Sequence, residues 1–297
     1  MHLSIIVPCF NEEENVPVFA EEVKKYISDV DYEIIFVDDG SKDSTWEKIK
    51  ASGQKGIKFS RNFGKEAAVF AGLESATGEY VVFMDADLQD PPHLLPEMLE
   101  SMNEYDSVAT MRRDRKGEPP IRSWFAKMFY RMINRMTGLH IVDGARDYRM
   151  MNRKMVDAIL KLNETNRFSK GIFEWVGFKT KYIPFDNVER QHGETKWSFW
   201  KLFKYAIDGM IAFSTKPLYI SVFIGFLLLL VSVLGGIAVI VREAVWHTSA
   251  YGWASTICLI LATTGINLCF LGVIGLYLAK TYEETKRRPI YIIDEKL

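Results

Sequence analysis

The chain has 297 residues, 48% hydrophobic and 25% charged, with a formal net charge of −1 at pH 7. That length supports one large or two small domains with a substantial core, and the balanced charge removes the electrostatic argument for a nucleic-acid partner. The three cysteines, Cys9, Cys258 and Cys269, show neither metal-ligand spacing nor disulfide arithmetic, which points to a reducing compartment.

Met1 is followed within two residues by the strand-like run LSIIVP, without the basic head and long apolar core of a secretory signal. The N-terminal part is therefore expected to stay in the cytoplasm. Leu3 to Val7 reads as a first buried strand, and in the following PCFNEEENV, Asn11 is placed to cap a helix carrying Glu12 to Glu14 in its positive first turn. Tyr32 to Val37 is a second apolar run that ends at Asp38, Asp39, Gly40 and Ser41; Asp43 or Ser44 then starts a helix through Ile49. The pattern repeats with Ile57 to Ser60 and a helix in RNFGKEAAVFAGLESATG, closed by Gly78. Such close alternation predicts a parallel sheet with right-handed crossovers. Arg61 and Lys65 would then stand near enough to the strand ends to touch an anion, unless they form only a solvated helix face.

In EYVVFMDADLQDPP, Glu79 to Pro92, the apolar run Tyr80 to Met84 suits a strand covered on both faces, and it stops at Asp85, Asp87 and Asp90. Open α/β sheets bind ligands in the crevice outside the carboxyl ends of their strands, so Asp38, Asp39, Asp85 and Asp87 are expected to share one crevice. Two acids this close stay ionised together only with positive charge between them. A divalent cation meets that need. Hard oxygen ligands suit Mg2+ or Mn2+, and Mg2+ takes one or two carboxylates and fills its octahedron with waters and substrate phosphates. A metal-held diphosphate is the expected ligand. Asp85 could instead cap the strand, and Asp90 a helix beginning at Pro91 and Pro92. Neither G-x-G-x-x-G after the first strand nor G-x-x-x-x-G-K-[ST] occurs, so acids, metal and basic side chains must recognise any nucleotide.

Ile121 to Gly138 places Phe125, Met128, Phe129, Met132, Ile133 and Met136 at helical spacing, with Arg122, Lys127, Arg131 and Arg135 elsewhere on the circumference. A basic amphipathic helix of this kind favours an anionic membrane surface, although it could equally pack on the sheet. Three cationic and aromatic stretches follow, and in them Asp147 and Arg149, Lys170, and Arg190 with Lys196 are candidates for the diphosphate or a second phosphate. His192, beside Gly193, reads as a loop residue. Trp197 to Phe213 is an aromatic amphipathic segment suited to the headgroup layer. Leu218 to Val241 and Trp253 to Ala279 are long apolar runs. At about 1.5 Å rise per residue, each can cross a hydrocarbon core of roughly 30 Å. Lys216 precedes the first run, and Lys280, Lys286, Arg287 and Arg288 follow the second, so both ends are expected on the cytoplasmic side. Gly235, Gly236, Gly272 and Gly275 permit close helix packing, including association of copies of the chain.

Taken in order, IIVPCFNEEEN, FVDDGSKD, RNFGKEAA, FMDADLQDPP and RQHGETKWS resemble family-2 glycosyltransferases of the GT-A fold, particularly bacterial polyprenyl-phosphate glycosyltransferases related to dolichyl-phosphate-mannose synthase. The resemblance spans nearly the whole chain. It implies an α/β architecture in which a mixed, mostly parallel, Rossmann-like sheet domain at 1–195 is followed by an amphipathic juxtamembrane helix at 196–216. A transmembrane hairpin at 217–297, with spans 218–241 and 253–279 and a short cytoplasmic tail, completes it. The implied enzyme lies in the cell membrane, with its catalytic domain and both termini in the cytoplasm. Its implied reaction is inverting transfer of a sugar from a nucleotide sugar to polyprenyl (undecaprenyl) phosphate, with glucose from UDP-glucose as first choice. UDP-N-acetylglucosamine and GDP-mannose are alternative donors. By resemblance, Asp85, Asp87 and Gln89 hold Mg2+ or Mn2+. The nucleotide sugar falls to Pro8, Asn11, Glu12, Asp38, Asp39, Arg61, Lys65, Asp85, Arg190 and Lys196. Asp87, Asp147 and Arg190 take catalytic parts, and Arg149 and Lys170 meet the acceptor phosphate. Gly-Glu-Thr-Lys at 193–196 replaces the commoner Gly-Glu-Ser-Lys and keeps the hydroxyl. A processive polysaccharide synthase generally needs a Q-x-x-R-W-type motif and more spans, whereas here Arg190 is followed by Gln191, His192 and Gly193. A membrane-anchored nucleotide-sugar sensor without catalysis is the reading from another class, and the intact acids argue against it.

Overall fold

The structure is a computed structural model that describes residues 2–113, 120–186, 207–246 and 252–297. The first strand, β1 (His2–Cys9), is almost wholly buried, as its unbroken apolar run requires. Helix α1 (Asn15–Lys24) presents Val16, Phe19 and Val23 to the core at spacings of three and four. β2 (Asp31–Asp38), α2 (Thr45–Ser52), β3 (Lys55–Phe59), α3 (Lys65–Ser75) and β4 (Tyr80–Phe83) continue the alternation. After a 3-10 turn at Pro92–Leu94 come α4 (Leu95–Ser101), β5 (Ser107–Arg112), α5 (Pro120–Thr137), β6 (Ala145–Asn152), α6 (Arg153–Leu160), α7 (Ser169–Trp175) and β7 (Thr180–Phe185). Residues 207–213 are helical. Two long helices, α8 (Lys216–Trp246) and α9 (Trp253–Thr285), precede a last strand, β8 (Ile293–Lys296).

The strands form one sheet in the order β7-β5-β6-β4-β1-β2-β3-β8. β1 is flanked in parallel by β2 and β4, and β2 pairs in parallel with β3. All four therefore end on one edge. β6 runs antiparallel between β4 and β5, so its first residues, not its last, come to that edge. One face packs Leu3, Ile5, Val7, Ile34, Phe36, Val82 and Met150 against Phe19, Trp46, Leu95 and Met98 of the helices. On the other face α3 comes so close that a Cβ on Gly72 would overlap the side chain of Ile6, and Phe173 of α7 lies 5.8 Å from Phe83.

Three local expectations change. Asn11 does not cap α1, which starts at Asn15 with no acid in its first turn. Instead Asn11 adopts φ 56°, donates its N–H to Ser41 Oγ and accepts from the Lys42 N–H, both at 2.9 Å, which clamps the β1 and β2 exit loops together. Asp90 does not cap the helix after it; it turns back toward the acids. The last residues form more than a tail, because β8 is the edge strand beside β3, running antiparallel to it.

The chain divides into two compact units, Met1–Ala212 with Arg288–Leu297, and Phe213–Arg287. In the second, stretches of 23 residues (Lys216–Ala238) and 27 residues (Leu259–Thr285) are long and apolar enough to cross a membrane. Their apolar side chains, such as Phe223, Phe226, Leu261 and Leu271, are exposed. Tyr277 closes the base of this unit by donating its hydroxyl to the Ser214 carbonyl at 2.5 Å.

Candidate active site

Two of the strand ends on the shared edge, those of β2 and β4, deliver acids. At the end of β2, Asp38 is fully buried; its Oδ1 accepts the Ser41 N–H at 2.9 Å, while Oδ2 has no hydrogen-bond partner. Burial raises its pKa. Asp39 accepts the N–H of Phe63 at 2.6 Å and of Gly64 at 2.9 Å, so it holds the loop between β3 and α3. Burial pushes its pKa up to about 6 despite those two donors. Gly40, at φ 69°, lets the same loop approach, since a Cβ there would strike the backbone of Arg61 and Asn62.

At the end of β4 the chain turns sharply, with Leu88 at φ 55°, a conformation that costs a bulky residue energy and persists only where its surroundings impose it. Asp90 imposes it. Its Oδ2 accepts the Asp85 N–H at 3.0 Å and its Oδ1 meets Arg146 at 3.3 Å. Burial and the Asp85 charge raise Asp90 to about 6 against the pull of Arg146. Asp87 Oδ1 accepts the Gln89 N–H at 3.1 Å. Tyr148, buried below, donates to the Pro91 carbonyl at 3.4 Å.

Opposite the acids stand the cations. Lys65, the first residue of α3, reaches Asp85 Oδ1 at 2.6 Å and Asp147 Oδ2 at 3.3 Å. Burial works against its charge, but the two carboxylates outweigh it and raise its pKa. Burial would likewise raise Asp147, yet Lys65 and Lys170 hold it down at about 2. Lys170 Nζ donates to the Ala145 carbonyl at 3.0 Å and lies 3.5 Å from the Tyr130 hydroxyl. Glu66, beside Lys65, accepts from both the N–H and the hydroxyl of Ser169, which fixes the start of α7 and hence Lys170.

The structure thus brings Asp38, Asp39, Lys65, Asp85, Asp87, Gln89, Asp147 and Lys170 to one rim. Pro8 is the penultimate residue of β1, opposite Val37 of β2, and Glu12 donates its N–H to Thr45 Oγ1 at 2.8 Å. Arg61 stays exposed at the loop, its guanidinium 4.0 Å from the centre of the Phe63 ring. Arg149 does not join them. Only 3% exposed, it is enclosed by Glu174, Ser107, Thr180 and the rings of Phe173 and Tyr182, and has no surface to offer a phosphate. Arg190 and Lys196 lie outside the described residues. Arg146, Asp90 as a loop anchor, and Glu66 were not among the expected site residues. Only the pairing of β6 beside β4 makes the first two partners.

Among the described residues no three His, Cys, Asp or Glu side chains form a ready metal cage. The donors that are present fit a different kind of binding. Asp85 and Asp87 offer hard oxygens, and the ammonium already seated against Asp85 shows that the rim faces positive charge. Such a pair suits an ion that arrives with phosphate and water completing its shell.

The chain matches the model of the family described as Glycosyl transferase family 2 over residues 4–160. It is 44% identical to a putative glycosyltransferase, CsbB, of Bacillus subtilis (strain 168), covering 99% of this chain and 91% of that protein. It is 37% identical to the bactoprenol glucosyl transferase of Shigella phage SfX, covering all of both. A crystal structure of glucosyl-3-phosphoglycerate synthase from Mycobacterium tuberculosis, in complex with Mn2+, uridine diphosphate and phosphoglyceric acid, superimposes with a TM-score of 0.50 at 17% identity. That match covers 71% of this chain and 76% of the other and places the sheet domain in the GT-A-like fold.

Proposed function

The chain belongs to glycosyl transferase family 2, and from that premise we propose that it moves a single hexose from a nucleotide sugar to polyprenyl phosphate at the cytoplasmic face of a membrane, with inversion. UDP-glucose is the donor of first choice, supported by the relatives named as bactoprenol glucosyl transferases. The observation that carries the reading is the convergence of Asp85, Asp87, Lys65 and Asp147 on one sheet edge in a chain that also carries two helices of spanning length.

In the proposed reaction a phosphate oxygen of the lipid attacks the anomeric carbon. The new carbon–oxygen bond forms as the bond to the nucleoside diphosphate breaks, and the electron pair leaves with the diphosphate. Asp85 and Asp87, with Gln89 beside them, would hold Mg2+ or Mn2+, which when bound supplies charge neutralisation at the departing diphosphate. Lys65 is placed to share that load, exchanging its contact with Asp85 for the donor phosphates. A phosphate monoester has its second pKa near about 6, so the nucleophile arrives largely ionised at neutral pH. Asp147 need not take a proton; held at about 2, it is an anion that orients Lys65 and Lys170, and Lys170 is the described cation best placed for the acceptor phosphate. Arg190 and Lys196 are proposed as further phosphate contacts.

The chain leaves the sheet unit at Ala212 and re-enters it at Arg288. Both outer ends of the helical pair are tied to one folded sheet, which supports a hairpin with both ends on the cytoplasmic side, as do Lys280, Lys286, Arg287 and Arg288. The test is a panel of nucleotide sugars incubated with the purified full chain and undecaprenyl phosphate. One hexose per lipid by mass supports the reading; a ladder of longer products would favour a processive synthase, and no lipid product from any donor would refute transfer.

A further inference from the structure

The last residues of the chain are built into the sheet next to the donor side of the rim. β8 pairs with β3, Ile57 opposite Lys296 and Phe59 opposite Ile293. The ladder extends at both ends, from the Ser60 N–H to the Ile292 carbonyl at 3.0 Å and from the Leu297 N–H to the Gly56 carbonyl at 2.8 Å. Side chains fasten it further: Glu295 accepts from Trp46 Nε1 and pairs with Lys50, each at 3.0 Å. Tyr291 stacks on Phe59 with ring centres 4.9 Å apart and planes 17° apart, and its hydroxyl donates to Glu74. Phe59 in turn meets Phe63 edge-on at 5.8 Å. Phe63 and Gly64 supply the N–H groups that Asp39 accepts, and the next residue is Lys65, against Asp85. A continuous line of contacts therefore runs from Tyr291 to the acids. Without β8, the five-residue β3 would be an open edge with its outgoing loop held from one side only.

We propose that the C-terminal strand is a positioning element, acting through Tyr291, Phe59 and Phe63 to set the Arg61–Lys65 loop against Asp39 and Asp85. Because this strand follows α9, the donor side of the site is complete only once the chain beyond the second long helix has come back to the sheet.

The test compares the full chain with Tyr291→Ala, Tyr291→Phe and a truncation after Pro289 by hydrogen exchange. The expected result is exchange at Phe63 and Gly64 faster by about 10-fold in Tyr291→Ala and the truncation, with central β1 and β2 amides unchanged. Tyr291→Phe keeps the stacked ring and should exchange like the parent, and a synthetic peptide of residues 289–297 should restore slow exchange to the truncated chain. A kinetic arm presupposes the transfer proposed above: KM for UDP-glucose should rise about 5-fold in Tyr291→Ala with kcat within about twofold. Unchanged exchange at Phe63 and Gly64 in Tyr291→Ala, or equal acceleration throughout β1 and β2, would overturn the proposal. If the parent chain turns over no nucleotide sugar, the transfer reading fails while the exchange result still decides this one.

Discussion

Lys65 places one ammonium against two carboxylates, 2.6 Å from Asp85 and 3.3 Å from Asp147, and with Lys170 it holds Asp147 ionised. With its folded pKa lowered to about 2, Asp147 is an anion throughout the working range. The stability it contributes is present above the unfolded value of about 3.9 and lost only as pH falls through about 2. Asp147→Asn is accordingly expected to lower kcat/KM by a factor that stays constant from pH 6 to pH 9, read from the pH–rate profile; a deficit repaired fully by alkaline pH would assign it proton transfer instead. Asp87→Ala should weaken Mn2+ binding, measured by calorimetry with UDP present, and lower kcat/KM by about 100-fold or more. Retained binding would remove Asp87 from the cation site. The acid pair was legible in the sequence because an apolar run that stops dead at carboxylates announces a strand end. Arg149 misled because it was expected from its place beside Asp147 in a cationic, aromatic stretch, a composition that does not reveal that Ala145–Asn152 is a strand or how deep a residue lies along it. It shares Asp147's strand but sits two residues, about 6.6 Å, further inside, where Glu174 already meets it.

Among the elements, β1, β3 and the turn into β4 are tied at the opposite edge by Glu33, which accepts from Ser4, Lys55 and Thr77. Burial raises its pKa, but those donors outweigh burial and bring it to about 2. Its contribution is therefore full above the unfolded pKa of about 4.3 and disappears as pH falls through about 2. Glu33→Gln should cost about 1 kcal/mol at pH 7, a modest figure because Lys55 remains in water and screens its share of the pair. Thermal unfolding of the full chain in detergent reads this, and an unchanged midpoint at pH 7 would show that the cluster contributes nothing. The alternating strands and helices up to Phe83 were readable from apolar runs and turn residues alone. Asn11 was misread because a cap and a loop clamp draw on the same short polar side chain, and only the neighbouring β2 loop distinguishes them. β8 was unreadable for a related reason. Its four residues, IDEK, are all exposed and carry no burial pattern, and they form a strand only because β3 offers an edge some 230 residues earlier.

Across the whole molecule, the sheet unit gathers acids and cations at one edge, and the second unit supplies two helices whose apolar side chains, among the described residues, are exposed. Composition foretold both, because long uncharged runs and strand-ending acids are local signals. The return of the tail to the sheet was not foretold, being a long-range one. The central claim is that the rim acids, with a divalent cation, deliver a sugar to a lipid in the membrane. The most direct measurement is transfer of labelled glucose from UDP-glucose to undecaprenyl phosphate in vesicles, using chelator-stripped full chain before and after Mn2+ is restored. The account predicts no labelled lipid from the stripped protein and recovery with Mn2+; labelled lipid formed at full rate without the cation would contradict it.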